Sequence, residues 1–299
     1  MSIEFNPELF LDVVFSLLLV LNIAGNYLVI YIIYKKQRTS TDYLLLNLAL
    51  SDMLFGVLIV PKFFKNTIIK RTDNIFENVW MCLLFKKGTL PYTAILSCIS
   101  TMMAVTLERY FAICHPHSFK KWFSTRRVKM AIVICWLLAI AYYIPYYIKA
   151  KCRDVDYEIA QVYSLLSMIL AVLELVFLII LSTKIYVSLW LKPTGIHPSA
   201  SQRELEERKL KKKVTRCVLA VVGSFVLSYI PFFTIQALSK YHILSDNNLF
   251  GFSPKKLIDL FLAINAAVDP YLYAFQNTRL RGFLRKLLLC GKTANGQQE

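Results

Sequence analysis

Ile99-Ser-Thr-Met-Met-Ala-Val-Thr-Leu-Glu108-Arg109-Tyr110-Phe-Ala-Ile-Cys-His115-Pro116 is the stretch whose reading decides the fold. An apolar run of roughly 20 residues gives way here to a basic one, which places Glu108 and Arg109 at a membrane surface. Neighbours on a helix do not face each other squarely, but two long side chains can bend together at the rim. On spacing alone, a snorkelling arginine at a helix end explains Arg109 as well as a functional one does. What separates the two readings is the order Glu108-Arg109-Tyr110, followed a turn and a half later by His115-Pro116.

The 299 residues are 57% hydrophobic with a mean hydropathy of +0.50, and the apolar residues fall in long blocks rather than in amphipathic periodicity. The chain therefore reads as an all-α membrane protein with several spans. A net charge of +16 would suggest nucleic acid in a soluble chain. Most of the Lys and Arg lie between apolar blocks, where the positive-inside rule accounts for them, so nucleic acid is set aside. No cleavable leader is expected, because Glu4, Glu8 and Asp12 stand at the head of a first block that is long enough to span and lacks a basic flank.

Seven spans are expected, at about residues 11–34, 42–64, 83–114, 128–148, 159–190, 214–238 and 254–275. They divide the chain into an outer terminus (1–10), a membrane bundle (11–276) and a tail (277–299) that begins with an amphipathic helix. Asn26 beside Gly25 in the first span must point inward to find a hydrogen bond. Asp52 in the second is an intramembrane carboxylate, a functional hypothesis by default. Pro61 and Pro231 should kink their helices, and Pro231 also frees a carbonyl. The cluster Tyr142, Tyr143, Tyr146 and Tyr147 reads first as an interfacial belt.

Loops holding Lys35, Lys36, Arg38, Lys120, Lys121, Arg126, Arg127, Lys129 and Arg208 to Lys213 carry few acids, which puts them inside and the amino terminus outside. Glu204 with Arg208 and Glu207 with Lys211 are spaced i, i+4, so the sixth helix should extend into the cytosol. Arg279 to Cys290 reads as a short basic eighth helix on the inner leaflet, with Cys290 as a palmitoylation site. Only Cys82 and Cys152 face the oxidising side, and a disulfide between them would pin the third span to the loop after the fourth.

In this order and at these depths, Leu48-Ala-Leu-Ser-Asp52, Glu108-Arg109-Tyr110, Trp136, Pro231, Asp269-Pro270 with Tyr273, and the Cys82/Cys152 pair resemble the rhodopsin-like (class A) G-protein-coupled receptors over nearly the whole chain. The chain departs from the family pattern in several places. Cys82 stands about two residues further from Arg109 than is usual, Tyr229 replaces a tryptophan, Leu178 replaces a proline in the fifth span, and Asp269 replaces the commoner asparagine. Pro91 occupies the place of the amine-binding Asp, which argues against an ordinary biogenic-amine receptor.

The resemblance implies a non-enzymatic, multi-pass plasma-membrane receptor that turns binding of an extracellular peptide or small molecule into heterotrimeric G-protein activation, with arrestin, a receptor kinase and membrane lipid as further partners. It assigns a coupling switch to Glu108, Arg109, Tyr110, Tyr186, Tyr229, Pro231, Pro270 and Tyr273, with Glu108 holding Arg109 at rest. It also implies an allosteric sodium site made by Asp52 and Asp269, with Asn265, Asn26 and Cys98 beside them. Two close carboxylates in low dielectric cannot both stay ionised without a cation, so they bind Na⁺ or share a proton. The ligand pocket is expected at Glu174, Asp259, Lys62, Tyr92, Phe232, Phe233 and Gln236. In one reading Glu174 and Asp259 anchor a cation; in another Lys62 and Lys87 hold an anion, or Asp259 simply pairs with Lys62 or Lys255. A constitutively active or opsin-like receptor is the alternative, but residues 257–273 contain no Schiff-base lysine. A transporter lacks its inverted repeat.

Overall fold

The computed structural model describes residues 6–35, 38–64, 89–148, 157–191, 202–240 and 252–276. Within them lie the helices α1 (Pro7–Tyr34), α2 (Ser40–Phe63), α3 (Thr89–Cys114), a short α4 (Pro116–Trp122), α5 (Thr125–Ile148), α6 (Tyr157–Tyr186), α7 (Gln202–Lys240) and α8 (Pro254–Gln276). Capping sets the first two starts. The Asn6 side chain accepts from the Glu8 and Leu9 amides ahead of Pro7, and Thr39 and Asp42 form a reciprocal capping box. Leu178 lets α6 run unbroken to Tyr186, after which Val187–Leu191 continues as a π turn. At 39 residues, α7 is about 58 Å long by helical rise, nearly twice a hydrocarbon core, so its basic amino-terminal half projects beyond the membrane.

Burial runs opposite to that of a soluble protein. Leu17, Val20, Leu137, Leu138, Leu173 and Leu227 are exposed, whereas Asn22, Asn26, Asn47, Asp52, Ser97, Asn265 and Asp269 are buried. Only a lipid surround makes that distribution favourable. Six of the described helices are long and apolar enough to cross a membrane, while α8 carries Lys255, Lys256, Asp259 and Asp269. The seven long helices form the expected bundle. α1 packs on α2 and α8, α8 on α7 and α2, and α3 touches α2, α5, α6 and α7. Accordingly, 61% of the apolar window of α3 is buried, against 11% for α5 and α6.

Helix α8 is held to α1 by a repair at Pro270. A proline has no N–H, so the carbonyl four residues earlier, that of Ala266, loses its helical partner. Asn26 Nδ2 donates to that oxygen at 3.1 Å. Beside it, Gly25 makes room for the ring: a Cβ at this position would lie 2.6 Å from Pro270 Cγ. The amphipathic helix expected at Arg279 to Cys290 lies outside the described residues, as do Cys82, Cys152, Lys87 and the side chain of Tyr273.

Gly25→Ala should therefore force α1 and α8 apart and cost about 2 kcal/mol, the usual scale of overpacking. A thermal melt of the detergent-purified protein should show a drop of several degrees. Gly223→Ala, where nothing lies within 4 Å of the added methyl, should leave the melt unchanged or raise it slightly. Equal melts for both variants would refute the close-packing argument.

Candidate functional site

At the inner rim, Glu108 is fully buried and its Oε2 lies 3.0 Å from Arg109 Nη2. The carboxylate is also held from α2: Thr41 Oγ1 donates to Glu108 Oε1 at 2.5 Å, and Ser40 Oγ does so at 3.4 Å. Thr41 in turn accepts from Arg109 Nη2 at 2.5 Å, so one hydroxyl bridges both charges. The sequence reading had found the ion pair but not Thr41, which lies 67 residues from Glu108. Two further tyrosines of the expected switch have other partners. Tyr110 turns to His115, its hydroxyl 3.1 Å from Nε2, while Tyr186 is half exposed and stacked on Trp190 with ring centroids 5.2 Å apart. The π turn at Val187–Leu191 begins immediately after Tyr186.

At mid-depth, ligand atoms of Asp52, Cys98 and Asp269 all lie within 4.8 Å of one another. Cys98 Sγ donates to Asp52 Oδ1 at 3.2 Å. The other oxygen of Asp52, both oxygens of Asp269 and Asn265 Nδ2 are buried without a hydrogen-bond partner. Orphaned acceptors at such depth are costly, and a cation between the carboxylates would relieve them. Oxygen donors of this kind fit Na⁺; the thiol, a soft donor, does not share that preference. Asn26 does not touch the acids. It bonds Asn22 Oδ1 at 2.7 Å, and Asn22 Nδ2 reaches the Asp52 carbonyl at 2.8 Å, so Asn22, which the sequence reading missed, is the residue that links α1 to the acidic pair. On the other side of α2, Trp136 Nε1 donates to Asn47 Oδ1 at 2.8 Å and Asn47 Nδ2 to Thr101 at 2.7 Å, tying α5, α2 and α3 together.

Above the acids, Tyr229 is buried and stacked on Phe225 at 4.0 Å, with Phe232 and Phe233 close by, and its hydroxyl has no partner. It borders an outward cavity of about 330 Å³, a volume suited to a small ligand or to the end of a peptide. Tyr92, Glu174, Phe232, Phe233 and Gln236 line this cavity, and they are joined by Tyr142 and Tyr143. Those two tyrosines thus belong to the cavity wall rather than only to the lipid belt. Glu174 has no ion-pair partner among the described residues.

Lys62 and Asp259 require a correction, since neither lines the cavity. Lys62 Nζ donates to both Asp259 oxygens at 2.7 Å and to the Tyr92 hydroxyl at 2.6 Å, and Tyr92 donates to Asp259 Oδ1 at 2.9 Å. Opposite charges on facing turns of α2 and α8 satisfy each other, which leaves Glu174 as the acid of the cavity. Further out, Lys256 bridges Glu8 and Asp12 at 2.7 Å each, binding the start of α1 to α8.

A family profile described as "7 transmembrane receptor (rhodopsin family)" matches residues 25–273. Among curated proteins, the chain is 27% identical to Neuropeptide FF receptor 2 of Mus musculus, covering 95% of this chain and 74% of the relative. It is 25% identical to Tachykinin-like peptides receptor 86C of Drosophila melanogaster (93% and 58%) and 27% identical to the Substance-P receptor of Aquarana catesbeiana (96% and 72%).

The outer pair can be tested without any ligand. Lys62→Met leaves the buried Asp259 without its cation and should cost about 3 kcal/mol, while adding Asp259→Leu should restore most of the loss. Thermal melts of the single and double variants decide the matter: a single variant as stable as the parent would show that the pair carries no load.

Proposed function

The chain belongs to the rhodopsin family of seven-transmembrane receptors, and on that premise we propose how its polar layers divide the work. It is a multi-pass membrane receptor, not an enzyme, and signals from an extracellular ligand to a heterotrimeric G protein. In our reading it resides in the plasma membrane with the amino terminus outside, and arrestin and a receptor kinase act on its inner face. The ligand is a peptide or a smaller molecule with a cationic group. The observation that carries this is Glu174, an acid without a counter-ion among the described residues on the wall of an aromatic cavity. A desolvated carboxylate there attracts a cation more strongly than water would allow, and the tyrosine and phenylalanine rings offer it further faces. Two of the three relatives are named for peptides, neuropeptide FF and tachykinin-like peptides.

At the inner rim, Glu108 and Thr41 hold Arg109 in the resting state, and release of Arg109 lets it meet the G protein. In the middle, Asp52 and Asp269 with Asn265 form a cation site, sodium being the ion that the family resemblance implies. A ligand needs a preference of only about 1.4 kcal/mol for the active arrangement to shift the populations tenfold.

A screen of peptide libraries read out by G-protein activation identifies the agonist, and a library containing only anionic or neutral agonists would contradict the cationic assignment. For the agonist so found, Glu174→Gln should raise the EC50 about tenfold, the equivalent of losing an ion pair worth about 1.4 kcal/mol. Unchanged potency would remove Glu174 from the contact.

The inner rim makes a separate prediction. Glu108→Gln keeps an acceptor for Thr41 but removes the charge that holds Arg109, so basal signalling should rise several-fold at equal surface expression. Arg109→Ala should lower coupling with agonist binding retained. Flat basal activity in Glu108→Gln would show that this pair is not the resting lock.

A further inference from the structure

We propose that Asp52, Cys98 and Asp269 form a binding site for a thiophilic divalent cation of the zinc or cadmium class, in competition with sodium. The proposal rests on the cation-site reading above and narrows which ion the site prefers. Three observations carry it.

The first is charge. Two carboxylates converge from α2 and α8, and among the described residues no cationic side chain pairs with either. A single sodium ion leaves one negative charge uncompensated in the middle of a membrane, where that is expensive. A divalent ion balances two anionic ligands. They can be both carboxylates with a neutral thiol, or one carboxylate and the thiolate with the other carboxyl protonated.

The second is donor chemistry. The thiol from α3 points directly at the acids, its sulfur 3.2 Å from Asp52 Oδ1. Thiolate selects zinc and its soft neighbours over sodium, magnesium and calcium, which favour oxygen. Where it ligates as thiolate, Cys98 gives up its proton to solvent as the metal enters.

The third is geometry. Zinc–sulfur and zinc–oxygen bonds at a tetrahedral angle separate the two donor atoms by about 3.5 Å. The observed Cys98 to Asp52 separation needs only a slight opening to accept such an ion. Three protein ligands within 4.8 Å, three of their carboxylate oxygens buried and unpartnered, leave the fourth position to water or to Asn265. The outer cavity, whose lining includes Ile95, Ile99 and Tyr229, supplies the entry route in this proposal. Tyr229 stands in that lining with its buried hydroxyl unpartnered.

The test uses the purified full chain in detergent, titrated separately with cadmium, zinc, magnesium and sodium chlorides. Thermal unfolding and the near-ultraviolet cadmium–thiolate charge-transfer band are the two readouts, compared between the parent and Cys98→Ser. Cadmium and zinc should raise the melting temperature of the parent saturably at concentrations at which magnesium does nothing. Cys98→Ser, which replaces sulfur by a hard oxygen of similar size, should weaken cadmium stabilisation at least tenfold and remove the part of the band that saturates with it. Its response to sodium should be retained or strengthened. Equal cadmium affinity in parent and variant, with the band unaltered, would overturn the proposal. Stabilisation by sodium alone would also overturn it while leaving the cation site standing. No response to any ion would sink both readings in favour of a shared proton.

Discussion

The seam between α1, α2 and α8 depends on one missing hydrogen-bond donor. Pro270 cannot donate to Ala266, and an orphaned carbonyl in a lipid-surrounded core has no water to turn to. Asn26 supplies the bond, Gly25 lets the ring in, and Asn22, whose Oδ1 accepts from Asn26, donates through its Nδ2 to the Asp52 carbonyl. Gly56 leaves space for the Asn22 amide, which a methyl group at that position would strike. These contacts position Asp52 and Asp269 face to face without neutralising them. The acidic pair is therefore the product of a satisfied backbone and unsatisfied side chains.

That contrast recurs along the membrane normal. Lys62 with Asp259 and Glu108 with Arg109 close as ion pairs, each joined by a hydroxyl, Tyr92 at the outer one and Thr41 at the inner one, although Glu108 Oε2 and Arg109 Nε make no hydrogen bond. Between them lie Glu174, Tyr229, Asp52 and Asp269, acids and a hydroxyl lacking ion-pair or hydrogen-bond partners among the described residues, apart from the Cys98 bond to Asp52. A closed pair resists change, because breaking it strands a buried charge. An open group gains from whatever reaches it. In the proposed reading, ligands and ions act at mid-depth, while the two rims set how much free energy they must supply.

Much of this fold was legible in the sequence, because a membrane allows few ways to satisfy a backbone. Blocks of about 20 apolar residues bounded by an uneven distribution of Lys and Arg place the spans and their depth. Depth also identified Glu174 and the Asp52/Asp269 pair, since a carboxylate far from either surface needs a reason to be there. Rotation about each helix axis was not legible. Asp259 was placed correctly along α8, but whether it faced the cavity or Lys62 depended on how α2 and α8 turn toward each other. The same ambiguity hid Thr41 and Asn22, which are unremarkable in sequence until α2 is brought against α3 and α1. It also made Tyr142 and Tyr143 look like belt residues although they line the cavity.

Tyr229 shows how a substitution legible in sequence gains meaning from its surroundings. A tryptophan at this place would have filled more of the floor and carried a donor only. Tyrosine leaves room and brings a hydroxyl that can both give and accept, here buried without a partner beneath the cavity. Its ring is locked on Phe225, so the hydroxyl can be satisfied only by something that arrives: a ligand group from above, or water or an ion's hydration shell from below. Because Pro231 lies two residues further along α7, any shift that satisfies the hydroxyl acts next to the point where the helix lacks a backbone bond and bends most easily. In the proposed reading, a small polar event at the floor of the cavity is thereby coupled to a helix about 58 Å long, whose far end lies on the side that the proposed orientation makes cytoplasmic.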